Sequence, residues 1–279
     1  MAAWRRRGIV VSNVIKLSSP GTHEFWEVEV LFEDEHLLAL NKPARLLTSP
    51  DRYDPQRPNL MKLLHAGIEE SKGWARERAL TYLMNAHRLD FETSGIILLA
   101  KNKPTLVALV NLFGSEKPLK IYAAFVQGSV TKDEMKVEAK LAPHPLKLGL
   151  TRVDSRNGKS SRTDFKVRER FKGYTLLECH PLTGRTHQIR VHLQFIGYPI
   201  LGDSRYGGPP LLLSHLKSGF RLKPNKTERP LISTVALHAE KLTFVNPMTG
   251  REVSIEAPWP KDLAVALKYL RRYAAVGGQ

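Results

Sequence analysis

Apolar and polar positions alternate along much of this chain, and the alternation predicts a sheet-rich protein. "EVEVLF" at 27–32 carries a period of two, and "HLLALNKP" at 36–43 is a short apolar run stopped by Asn-Lys-Pro. "GIILLAK" at 95–101 is apolar throughout, as expected of a strand covered on both faces. Further strands are predicted in "KIYAAFVQGSV", "KVEAKLAPHP", "SRTDFKVRERF" and "YTLLECHPLTGR", and a hairpin in "ALHAEKLTFVNPMTGREVSIEAP". A helical period marks "LMKLLHAGIEESKGWARER", closing near Gly73, "PTLVALVNLFGS", and "KDLAVALKYLRRY". The clearest helix is "THQIRVHLQFIG", with Thr186 as N-cap, Ile189, Leu193 and Ile196 on one face, and Gly197 at its close. Strands outnumber helices and often follow one another directly, so the expected class is α+β with a largely antiparallel sheet. Residues 1–27 read as a basic N-terminal extension, with the turn-rich "LSSPGTH" as linker, and residues 28–279 as one domain without an internal boundary. Residues 209–232 read as an insertion rich in Pro and Lys.

Charge narrows the partners. The chain has 279 residues, with 43 Lys plus Arg against 27 Asp plus Glu, a net charge of +16. Self-repulsion of that size suits a polyanionic partner, and nucleic acid is the expected one. An anionic membrane surface is the rival, but no basic amphipathic helix supports it, and no apolar run reaches the roughly 20 residues of a membrane span. One cysteine, Cys179, excludes an internal disulfide and fits a reducing, cytoplasmic setting. The Arg-rich start "MAAWRRRGIVV" lacks the apolar length of a secretory signal.

Three segments hold the candidate chemistry: His87, Arg88 and Asp90 in "NAHRLDFETSG"; Tyr122 in "KIYAAF"; and Arg185, His187, Gln188 and Arg190 in "GRTHQIRVH". Asp90 stands just before a strand that must be buried. A carboxylate there needs a cation or several donors, although a turn Asp bonded to the amides of Thr93 and Ser94 is an equally ordinary reading. Arg190 lies beside the apolar stripe of its helix, at the edge of the core, where a guanidinium seeks a planar acceptor; the alternative is a stem snorkelling to solvent. His187 and His192 are five apart and lack the His-Glu-x-x-His pattern, so no metal site is expected.

These segments resemble the pseudouridine synthases of the RluA type over roughly residues 28–260. "HRLDFETSGIILLAK" is similar to that family's His-Arg-Leu-Asp-x-x-Thr-Ser-Gly motif, "KIYAAFVQG" to its Lys-x-Tyr motif, and "GRTHQIRVHL" to its Gly-Arg-x-His-Gln-x-Arg motif; "GYPILGDSRYG" and "ALHAEKLTFVNPMTG" follow in the family's order. The resemblance implies the pseudouridine synthase fold with a central cleft, and isomerisation of uridine in ribosomal or transfer RNA without a cofactor. It implies Asp90 as the catalytic carboxylate (nucleophile or base), Arg190 as its partner and Tyr122 as the active-site Tyr. Arg88, His87, Thr93, Arg185, His187, Gln188 and Leu237 then bind substrate, with Leu237 lining the uracil pocket. Arg45 stands where the family usually has Gly after "NKPA". Many members carry an S4 RNA-binding domain. Only about 28 residues precede the match here, so target selection is expected to rest on the catalytic domain, the basic N-terminus and the insertion. A monomer is expected. The rivals are an RNA-binding protein that has lost the chemistry, against which Asp90, Tyr122 and Arg190 all stand, and a basic hydrolase, for which no nucleophile is placed.

Overall fold

The structure, a computed structural model, describes residues 12–51 and 54–276. The basic start of the chain lies outside the described residues. The chain divides into two compact units: residues up to Pro118 with Lys241–Pro258, and Leu119–Glu240 with the residues from Trp259 on.

In the first unit, β1 (Val14–Ser19) and β2 (Glu24–Glu33) form a hairpin, and β3 (Leu37–Lys42) pairs with β2. Helices α1 (Leu60–Glu69) and α2 (Gly73–Glu77) follow, then the short β4 (Met84–Asn85), β5 (Ser94–Ala100) and α3 (Lys103–Gly114). β5 lies between β3 and β4, antiparallel to both. Its apolar run from Gly95 to Ala100 has a direct cause. Ile97 and Leu99 join an apolar layer with Leu60 and Leu64 of α1, while Ile96 and Leu98 face the opposite layer with Leu109 of α3. Both helices are capped by asparagine: Asn59 accepts from Lys62 N and Asn102 from Thr105 N, each at 2.9 Å.

The sequence reading differs from this in two places. β1 falls inside the span expected as an extension, because Ile15 and Leu17 bury completely or nearly so against Val28 and α1. The helix expected over 60–78 is two helices. Ser71, at φ 51°, turns the chain left-handed between them, and Gly73 opens the second helix instead of closing the first.

The second unit is a sheet in the order β6 (Leu119–Gln127), β10 (Tyr174–Pro181), β9 (Lys159–Phe171), β7 (Glu134–Pro143) and β8 (Thr151–Val153), antiparallel at each pairing. The basic stretch between β7 and β9 contains β8. Helix α4 (Gln188–Phe195) buries Ile189 and Leu193 in this unit's core, as its periodicity predicts. The short α5 (Leu213–Leu216) lies in the insertion. β11 (Leu237–Val245) begins in this unit, and its residues from Lys241 on pair with β12 (Glu252–Glu256) as the expected hairpin within the first unit; α6 (Lys261–Tyr273), again in the second unit, buries Leu263, Ala266 and Leu270.

Candidate active site

The first unit holds His87, Arg88, Asp90 and Thr93 on one loop that leads into β5. Ala86 N donates to Leu98 O at 3.3 Å, and Leu98 N donates to His87 Nε2 at 3.0 Å. The ladder on that edge of β5 therefore continues through an imidazole. The His87 ring stacks on Phe113 of α3, with centroids 4.6 Å apart. His87, expected as a substrate contact, also fastens the loop. Arg88 is exposed, Leu89 is buried, and Asp90 is half-buried. A backbone turn closes over Asp90, with Thr93 N donating to Asp90 O at 3.2 Å; Thr93 itself is buried.

Three contacts from the segment after β3 reach this loop. Thr48 Oγ1 donates to Leu89 O at 2.9 Å and accepts from Leu89 N at 3.1 Å, and Arg45 N donates to Phe91 O at 2.7 Å. The guanidinium of Arg57 lies 3.9 Å from the Phe91 ring centroid. Arg45 takes the left-handed conformation, φ 62°, that explains why glycine suits this position.

Beneath the segment lies Lys42, fully buried at the end of β3 and in register with Gly95. Its ammonium donates to Pro43 O at 2.8 Å and Leu46 O at 2.7 Å. Burial pushes its pKa down to about 7, while the charge of Asp90 works in the other direction. Sequence reading took Asn-Lys-Pro only as the end of a strand. The available signal was a lysine closing an otherwise apolar run, since lysine buries almost never without acceptors.

The second unit holds the remaining candidates. Tyr122 on β6 is opposite Cys179, which is opposite Phe165. Directly paired residues share a face, so Tyr122, Phe165 and, two residues on, Thr163 look to the same side. Helix α4 covers that side, because Gln188 and His192 both bond to Thr163 Oγ1, each at 3.0 Å. The helix N-cap is His187, at φ 53°, and not Thr186 as expected. No side chain caps the helix, and Gln188 instead ties down the turn that precedes it. Its Oε1 accepts from Thr183 Oγ1 (2.6 Å) and Arg185 N (3.0 Å), and its Nε2 donates to Arg162 O (2.9 Å) and Thr163 Oγ1. Those four bonds fill the amide's capacity. Gln188 thus braces the segment that carries Arg185 and His187. Arg185, exposed, reaches Ser160 O through Nε at 3.1 Å. Leu237 is buried among Phe125, Ile189 and Leu193.

Arg190 is buried and forms a two-pronged ion pair with Asp203: Nε to Oδ2 at 2.6 Å and Nη2 to Oδ1 at 2.8 Å. Its guanidinium also stands 4.8 Å from the Tyr206 ring centroid. The Tyr206 oxygen accepts from Thr151 N at 2.9 Å and lies 2.7 Å from His187 Nδ1. The turn "LGDSRYGG" makes this possible. A Cβ on Gly208 would lie 1.7 Å from Ile200 O, so the chain can fold tightly enough to aim Asp203 inward only with glycine there. Asp203 and Tyr206 are functional candidates that sequence reasoning missed, although it had noted the turn itself. Among the described residues no group of His, Cys, Asp and Glu could hold a metal ion, and no helix is long and apolar enough to cross a membrane.

Comparison with known proteins identifies relatives over most of the chain. Residues 36–195 match the family model described as RNA pseudouridylate synthase. The chain is 35% identical over 259 residues to ribosomal large subunit pseudouridine synthase D of Xylella fastidiosa, covering 89% of this chain and 71% of that protein. It is 37% identical over 247 residues to ribosomal large subunit pseudouridine synthase C of Salmonella typhi, covering 88% and 70%. The solved structure of human RNA pseudouridylate synthase domain containing 4 has the same fold, with a TM-score of 0.64 at 24% identity over 87% of this chain and 92% of that one.

Proposed function

The chain belongs to the RNA pseudouridylate synthase family, whose members isomerise uridine to pseudouridine in RNA, and from that premise we propose that its substrate is ribosomal RNA of the large subunit. The observation that carries the choice is the pair of ribosomal relatives at 35% and 37% identity over most of the chain. Transfer RNA, left open by the motifs, is the comparison arm of the test. The setting we propose is a reducing cytoplasm, which a chain with a single cysteine, Cys179, suits.

The reaction needs no outside reactant. The bond from ribose C1′ to uracil N1 breaks, the base turns, and C1′ joins C5; the C5 proton leaves and N1 gains one. We assign the ionised carboxylate of Asp90 to the ribose. To Arg190 we assign the task of keeping that carboxylate charged, and to Tyr122 a ring face for the uracil and a hydroxyl for the proton at C5. Arg88, exposed on the Asp90 loop, suits the space or phosphate of a uridine that has left its stack. The rigid setting of the Asp90 loop and the buried anchoring of Arg190 support these assignments.

Release of tritium from 5-tritiated uridine in large-subunit ribosomal RNA, with transfer RNA alongside, tests the reading. Wild-type protein should release it from the ribosomal substrate, and Asp90→Asn should lower the rate by about 10⁴-fold, as removing an essential reacting group does. Residual turnover within about tenfold of wild type would remove Asp90 from the chemistry. Release from transfer RNA alone would move the substrate.

A further inference from the structure

We infer that Thr48 is a positioning residue for Asp90: its hydroxyl holds the backbone of the residue before the carboxylate from both sides, in place of a neighbouring strand. This rests on the reading of Asp90 as the catalytic carboxylate.

A single hydroxyl accepts from Leu89 N and donates to Leu89 O, so both backbone groups of that residue depend on one side chain. Thr48 is 2% exposed and Leu89 4%, so water has no ready access as a substitute. On the far side of Asp90, Phe91 O is held by Arg45 N. Backbone groups on both sides of Asp90, Leu89 N and O before it and Phe91 O after it, are thus held from one short segment.

That segment is itself fixed at both ends. Leu60 N donates to Leu47 O at 2.8 Å and Met61 N to Thr48 O at 3.1 Å, which seats Thr48 on the first turn of α1. Lys42 grips Pro43 O and Leu46 O from below. A chain of short contacts therefore runs from a capped helix, through one hydroxyl, to the residue beside Asp90. Valine would fill the same space and supply neither bond. Serine would supply both and lack only a methyl group.

Loss of the clamp should displace Asp90 without altering surfaces that bind RNA. A misplacement of about 1 Å at a reacting group can lower turnover by about 100-fold. Thr48→Val should therefore lower kcat by roughly 10- to 100-fold while KM for RNA stays level, and Thr48→Ser should recover most of the loss. Wild type and Asp90→Asn are assayed beside them, well below the melting temperature. If Thr48→Val does not fold, Thr48→Ala replaces it in the same comparison with Thr48→Ser.

Wild-type kcat in the variant lacking the hydroxyl, beside an inactive Asp90→Asn, would overturn the Thr48 proposal alone. Equal impairment of that variant and Thr48→Ser would also overturn it, because packing and not the hydroxyl would then be responsible. An Asp90→Asn protein that still turns over would overturn the Asp90 assignment and the Thr48 proposal with it.

Discussion

Arg190 and Asp203 grip each other through two parallel hydrogen bonds, with 4% and 1% of their side chains exposed. A buried pair of this kind is felt most when one partner is removed, because the other is left as an uncompensated charge. Asp203→Ala should destabilise the protein by about 3–5 kcal/mol, measured by denaturant unfolding. Asp203→Asn keeps an acceptor and should lose less. Two variants within error of wild type would show that the pair adds nothing to the fold. The same relationship changes what Arg190→Met can report, since that variant strands Asp203 as well as any carboxylate Arg190 serves in catalysis. Asp203→Asn is the control that separates the two effects.

His192 predicts an acid-sensitive fold. Gln188 Nε2 donates to Thr163 Oγ1, which lies 3.0 Å from His192 Nδ1; His192 Nε2 lies 2.9 Å from Ser161 Oγ, and that hydroxyl donates to Ala139 O. One order of donors satisfies the whole chain, with the proton on Nε2. Burial pushes the His192 pKa down to about 4 from the usual 6.5. Below pH 6.5 the unfolded chain binds a proton that the folded one refuses, so stability falls as pH drops from 6.5 to about 4. That shift corresponds to at most about 3 kcal/mol. Melting temperatures of wild type and His192→Gln across this range should converge as pH falls; parallel curves would exclude His192 as the cause.

Arg45 predicts a gain. An L-residue held left-handed costs roughly 1–2 kcal/mol, part of which glycine gives back through its flexible unfolded state. Arg45→Gly should therefore raise stability by up to about 1 kcal/mol in thermal melts. A fall would mean that contacts of the Arg45 side chain outweigh the strain.

The insertion predicts salt dependence. Lys217, Arg221, Lys223, Lys226 and Arg229 are all exposed on it, with Glu228 as the only acid among residues 217–229. Affinity for RNA should fall with salt at a slope of about 0.7 per phosphate engaged. Replacing Lys223, Lys226 and Arg229 with Ser should flatten the slope by roughly 2 in filter binding. An unchanged slope would place the phosphate contacts elsewhere.

The strands were legible because their signal is local: β5 is apolar from Gly95 to Ala100, and helices pack on both of its faces. Arg190 was legible too, since its neighbours Ile189 and Leu193 define a stripe. Asp203 was not. A lone acid between Gly202 and Ser204 has no period to place it, and its partner lies 13 residues back. Neither was the division into two units. The chain passes between them after Pro118, inside β11 at Glu240–Lys241, and after Pro258, with no change in composition to mark the crossings. Thr48 and Lys42 escaped notice for a different reason, because their importance lies in backbone groups they touch and not in any spacing of side chains.

His87 stitches its loop to the edge of β5 through Leu98 N, and Asp90 is three residues further along that loop. Its carboxylate is thereby carried on a loop fastened to the sheet edge. If Asp90 is the reacting group, the accommodation is expected of the nucleic acid. Uridines that already spend time outside a stack, at hairpin tips and bulges, are then the ones such a protein reaches most readily, and the substrate's own mobility becomes part of its address.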